Sequence, residues 1–207
     1  MQLKKYLTLL SVFMLVCACK EIDPNKQIDE GNVTNEVYTS REIGWSILIP
    51  DGWEVISKAQ SEKYTEKGKE AFKEVKGIEV DDSEVKDLIS FKKNQFNLFL
   101  SNSEPFKETF KGEWKQNCSE AKSYIYDLYR SKRIKVDSSA TTTARIDGFE
   151  FETYSITLYD PNDEVVLIQE VYNKLINGFI LSVIINYNNE KDKRVMEKAF
   201  FDSQFRK

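Results

Sequence analysis

Between residues 141 and 187, four strand-like runs alternate with three clusters of turn formers, and this pattern constrains the fold more than any other feature of the chain. The runs cover 141–146, 149–159, 165–175 and 179–187. Asp147-Gly148, Asp160-Pro161-Asn162-Asp163 and Asn177-Gly178 separate them. Asn-Gly and Asp-Gly pairs between apolar runs signal tight hairpins, because a type I′ turn needs positive φ at both central residues. Consecutive hairpins make an antiparallel meander. Asn188 or Asn189 then stands as the N-cap of a closing helix that reaches about Phe201, and Met196, Phe200 and Phe201 can pack that helix back on the sheet.

The first half is less regular. Strand signals at 37–40 and 45–49 lead into Pro50-Asp51-Gly52, a reversal, after which Trp53 and Val55 resume an apolar alternation. From Ser57, a plausible N-cap, to Val75 the Lys/Glu-rich sequence is helical in character. Its few apolar positions (Tyr64, Ala71, Phe72, Val75) allow only a narrow buried stripe, and Gly68 weakens its middle. Residues 88–91 and 96–100 read as short strands, and 103–106 breaks that pattern. A second helix is expected over 112–132, where Trp114, Cys118, Ala121, Tyr124 or Ile125, and Leu128 recur on one side. These elements predict an α+β fold, an antiparallel sheet with helices packed on its faces.

The N-terminus carries an address. Lys4 and Lys5 precede an apolar run over 7–16 that is too short to span a bilayer. Val16-Cys17-Ala18-Cys19 follows and resembles a lipobox, with an aliphatic residue at −3 and a small residue at −1. Residues 1–18 are therefore expected to be a lipoprotein signal peptide, and Cys19 the site of lipidation. Acyl chains contribute about 0.8 kcal/mol per buried methylene, and more than one chain makes anchoring stable. Lys20, Glu21 and Asp23 resemble a signal for the outer face of the outer membrane. Protection of the domain from protease added to intact cells would place it on the periplasmic face instead. Polar residues 19–35, with Pro24 and Gly31, read as the lipidated N-terminus and a flexible tether, followed by one globular domain over 36–207.

The segment Trp45-Ser46-Ile47-Leu48-Ile49-Pro50-Asp51-Gly52-Trp53 resembles the opening of PsbP-like domains, which often carry a strand, an IP-x-GW turn and a second strand; Ile49, Pro50, Gly52 and Trp53 are the matching residues. The stretches 88–93 and 175–179 are also similar to bacterial lipoproteins that carry this domain. The resemblance implies an antiparallel sheet sandwiched by helices. Members of the family support the water-splitting complex, bind Ran or chaperone secreted effectors, so it implies protein binding rather than catalysis. It transfers no site residues.

The chemistry available to the chain is narrow. It has no histidine, which excludes Ser–His–Asp and Cys–His catalysis and removes the commonest zinc ligand. A formal charge of −4 does not suit nucleic acid. Cys17 leaves with the signal and Cys19 takes lipid, so Cys118 has no disulfide partner. On the apolar side of a helix it reads as a structural thiol rather than a nucleophile. The acidic residues Glu79, Asp81, Asp82, Glu84 and Asp87 offer calcium-type oxygens without an EF-hand pattern, and read as a solvated loop. Asp160, Asn162 and Glu164 alternate oxygens, but Val165 stands where an EF-hand needs glycine. Glu150 and Glu152 share a strand face and could suggest glycoside hydrolysis, although alternation with Phe149 and Phe151 accounts for them. Trp45 and Trp53 read as core; Trp114, Tyr124, Tyr126 and Tyr129 are candidates for either core or groove. The expectation is a non-enzymatic lipoprotein, held to the membrane through lipid on Cys19, that needs no cofactor and binds another envelope protein. The alternative is a small-ligand or metal-binding surface lipoprotein.

Overall fold

The computed structural model describes residues 22–77, 79 and 81–206, so Cys19 and the signal peptide lie outside the described residues. Among the described residues, thirteen strands and three α-helices are ordered β1 (Asn32–Thr34), β2 (Val37–Thr39), β3 (Trp45–Leu48), β4 (Glu54–Val55), α1 (Lys58–Lys76), β5 (Lys86–Asp87), β6 (Phe91–Lys92), β7 (Leu98–Pro105), α2 (Glu113–Ser131), β8 (Lys135–Ser138), β9 (Thr142–Ile146), β10 (Phe149–Tyr159), β11 (Val165–Ile176), β12 (Phe179–Tyr187), α3 (Glu190–Phe201) and β13 (Gln204–Phe205).

The expected meander is the spine of the larger sheet. β9, β10, β11 and β12 pair antiparallel in succession, and β7 adds to the far side of β12. Asp147 and Gly148 have φ of 44° and 84°, and Asn177 and Gly178 have 52° and 81°, the left-handed pairs that such turns demand. The complete path is β4-β6-β7-β12-β11-β10-β8, with β5 on β7 and β9 on β10. A second sheet has the order β1-β2-β3-β13.

Side-chain alternation gives the larger sheet two apolar faces. One face packs with α3 and the inner face of the small sheet around the fully buried Trp45, Phe91, Phe99, Phe151 and Phe200. The other carries Tyr154, Ile156, Leu158 and Val171 beneath Ile125, Tyr126 and Tyr129 of α2. Helix α1 lies beside α2, joined by the Phe72 and Tyr124 rings at 4.2 Å. The α+β class and the sheet with helices on its faces are as expected. Among the described residues, no helix is long and apolar enough to cross a membrane.

The boundaries differ from the sequence reading in three places. First, most of the expected tether over 19–35 belongs to the domain. A 3-10 turn covers Pro24–Lys26, and the Asn25 side chain bonds both the N–H and the carbonyl of Val33, at 2.7 and 3.0 Å. Asp29 accepts from the Asp87 N–H at 2.9 Å, and Glu30 accepts from the Arg41 N–H at 2.6 Å. Gly31 is required there. Its φ is +85°, and a Cβ would stand 2.5 Å from the Thr39 carbonyl oxygen. Second, 103–106 does not break the strand: β7 continues through Ser103 and Glu104, which pair with Leu181 and Ile180. Third, β1, β5, β8 and β13 have no counterpart in the sequence reading, and of the strand expected over 88–91 only Phe91 is in a strand, at the start of β6. Within α2, Trp114 is buried, but Ala121 is exposed and Cys118 is half-buried.

Candidate functional site

The acidic candidates are mostly occupied with structural partners. Lys69 pairs with Asp82 at 2.9 Å and Lys73 with Glu79 at 2.5 Å. Asp81 accepts from the backbone N–H of Ser83, a bond that lowers its carboxyl below the usual range. Asp87 bonds the Ser61 hydroxyl of α1, and burial raises its carboxyl. Among the described residues, no three His, Cys, Asp or Glu side chains converge to hold a metal ion. Asp160 closes its hairpin by accepting from the N–H groups of Asn162 and Glu164, at 2.8 and 2.9 Å. Glu150 and Glu152 do share a face of β10; Glu152 is drawn beneath α2 by Lys115 at 2.5 Å, while Glu150 is exposed.

Cys118 lies on the same side as Glu152. Burial pushes its thiol up to about 11, and the carboxylates of Glu152 and Glu104 add to the shift. The thiol is therefore protonated near neutral pH and is not activated for attack. In the Cys17→Ala/Cys19→Ala variant, whose one thiol is Cys118, a disulfide-exchange reagent at pH 8 is expected to modify Cys118 about a hundredfold more slowly in native protein than in denaturant, from thiolate population alone. Equal rates in the two states would show the thiol to be free and unshifted.

The aromatic candidates separate by position. Trp45 is fully buried and donates its indole N–H to the Ser203 hydroxyl at 2.9 Å. Trp114 is buried with Lys115 over its ring. Tyr126 and Tyr129 fill the seam between α2 and the sheet. Trp53 departs from the core expectation. It meets Phe91 edge-on at 5.8 Å, yet it is only half-buried and lines a groove of about 630 Å³. The walls of that groove include Ile22, Pro24 and Pro50 with the carboxylate residues Glu36, Asp51 and Glu54.

A second groove, of about 490 Å³, shares Pro50 and lies between β3 and α3. Val37, Leu48, Val195 and Ala199 line it, and the Lys198–Asp202 ion pair stands at its rim. It opens on the outer face of the small sheet. The pairing register places Val37 beside Leu48 there, and Asn32, Thr39, Ser46 and Gln204 in the neighbouring row. With Thr34 these residues complete an outer face without a charged side chain, in a chain whose composition is 31% charged. Leu48 is 55% exposed, and Val37 is exposed beside it. Loss of charge around an exposed apolar centre is the compositional mark of an interface core. Sequence reading missed this surface because Val37 and Leu48 sit on different strands. The outward alternation of Ser46 and Leu48 was its one local signal.

No family model and no curated protein matches the chain. Among 13 solved chains that match is the solution structure of cyanobacterial PsbP (CyanoP) from Synechocystis sp. PCC 6803. The TM-score is 0.54 at 10% sequence identity, covering 85% of this chain and 96% of that one. The likeness shows a PsbP-like fold.

Proposed function

We propose that this chain is a bacterial lipoprotein, anchored in the outer membrane through lipid on Cys19, whose PsbP-like domain binds another protein of the cell envelope and performs no catalysis. The observation that carries the protein-binding reading is the uncharged outer face of the small sheet with the apolar groove beside it, centred on Val37 and Leu48. The lipobox-like Val16-Cys17-Ala18-Cys19 supports the anchor.

The test is affinity capture from solubilised membranes, with bound proteins identified by mass spectrometry. Wild type is expected to retain one reproducible partner. Cys19→Ala is expected to lose it by leaving the membrane, and Leu48→Asp by placing a charge at the centre of the face. Val165→Asp serves as the control, since Val165 is similarly exposed at 52% and stands on another strand. Capture that survives Leu48→Asp would remove this face from the proposal, and absence of any reproducible partner would remove the function.

A further inference from the structure

The folding of residues 23–35 into the domain changes where the domain must sit. Only Lys20 and Glu21 separate Cys19 from Ile22, which lines the Trp53 groove. Three residues of chain span at most about 11 Å. Nor can the chain pay out more length, because Asn25 is tied to Val33, the Gln27 side chain accepts from the Lys58 N–H at 2.9 Å, and Lys58 pairs with Asp29. A lipid on Cys19 would therefore hold this groove, of all the surfaces of the domain, against the bilayer.

The groove has the chemistry to meet a particular headgroup. Glu36 and Asp51 take part in none of the ion pairs among the described residues, and Glu54 has only a 3.8 Å contact with Lys92. Lys93 reaches over the turn and donates its ammonium to the Gly52 carbonyl at 2.8 Å. Three carboxylates beside a half-exposed indole attract an ammonium group by ion pairing and cation–π contact, and repel a net-anionic headgroup. Tryptophan also favours the depth of the membrane interface.

We propose that the Trp53 groove receives the ammonium groups of zwitterionic headgroups in the bilayer to which Cys19 is anchored, so that the domain stands on the membrane by this side. The inference rests on the lipoprotein reading above. Its occupant is the lipid surface, and the uncharged sheet face next to it stays open to a protein partner.

The experiment uses the intact lipoprotein purified from membranes and reconstituted into vesicles that carry a nitroxide-labelled headgroup lipid. One set is ethanolamine-headgroup lipid with choline lipid, and the other is wholly phosphatidylglycerol. Tryptophan emission is expected to be quenched in the zwitterionic vesicles and much less in the anionic ones. Quenching should be lost in Trp53→Phe, since Trp45 and Trp114 are buried. The preference between vesicles should disappear in Glu36→Gln/Asp51→Asn, two exposed positions whose replacement leaves the core intact. Mass spectrometry of the N-terminal peptide separates the two readings. An unacylated Cys19 overturns the anchor and this inference with it. An acylated chain with unquenched emission, equal quenching in both vesicle types, or quenching that persists in Trp53→Phe overturns the headgroup site alone. A copurifying protein that shields Trp53 in place of lipid overturns it as well.

Discussion

Replacing Glu170 with leucine is expected to lower the stability of the domain by about 3 kcal/mol, the scale for removing one partner of a largely buried ion pair. Glu170 sits on β11 under α3 with its side chain 15% exposed, and it serves three donors. Tyr172 donates to it at 2.7 Å, Tyr187 at 2.9 Å, and Lys193 of α3 lies at 3.0 Å. Leucine leaves two hydroxyls without their acceptor and strips the Lys193 ammonium of its nearest carboxylate, leaving it Glu197 at 3.7 Å and the Tyr187 ring at 4.8 Å. The double variant Glu170→Leu/Lys193→Met removes the half-buried ammonium that has lost its nearest carboxylate and should recover part of the loss. Burial alone would lower the Lys193 ammonium. Its bonds to the Tyr187 hydroxyl and the Glu170 carboxylate outweigh that and raise it above its ordinary 10.5. A cation whose folded value is raised contributes stability below about pH 10.5, and that contribution is lost as pH rises further. The gap between wild type and Glu170→Leu should accordingly be full at pH 7–9 and shrink above pH 10.5. Urea unfolding across that range is the measurement, and a gap that widens with pH would refute the assignment.

Phe200→Ala is expected to cost about 4 kcal/mol, within the range for emptying a buried aromatic site. Phe200 is fully buried, and its ring meets Trp45, Phe99, Phe151 and Tyr172 with centroids 5.2 to 6.2 Å away. Those four rings belong to β3, β7, β10 and β11. One side chain of α3 therefore ties the small sheet to the large one. Alanine leaves a void that rings fixed on separate strands cannot close by collapse, so the cost falls toward the upper end of the range. Phe200→Leu should restore a good part of it. The denaturation midpoint should fall with the slope unchanged if folding stays cooperative. A loss below about 1 kcal/mol would show that the helix is not held by this ring.

Both effects arise where separate elements meet, and that is also where sequence reading stopped. The sequence determined the features that are local. Asp147-Gly148 and Asn177-Gly178 specify turns with two left-handed residues, and the long alternating runs beside them can satisfy their backbone and bury one face only as paired strands. Asn189 caps α3 by accepting from the Asp192 N–H at 2.9 Å, and the four-residue spacing of Met196 and Phe200 sets the buried side of that helix. Strand content, three helices and the α+β class follow from patterns of this kind.

Tertiary structure decided the remainder. Strand β13 is two residues long and has no period of its own. It exists because Phe205 stacks on Trp45, its N–H donates to Asp147 at 2.7 Å, and Arg206 donates to the Gly44 carbonyl at 2.9 Å. Residues 23–35 look like a tether because their side chains are polar. They are held largely by backbone and side-chain hydrogen bonds to distant segments, with only Ile28 and Val33 packed against the core. Trp53 reads as core because it is large and apolar, and whether a neighbour covers it is a property of three dimensions. The uncharged sheet face is of the same kind, since Val37 and Leu48 become one surface only through strand register. Periodicity reports which side of an element is apolar; which apolar sides are left uncovered is set by how the elements pack.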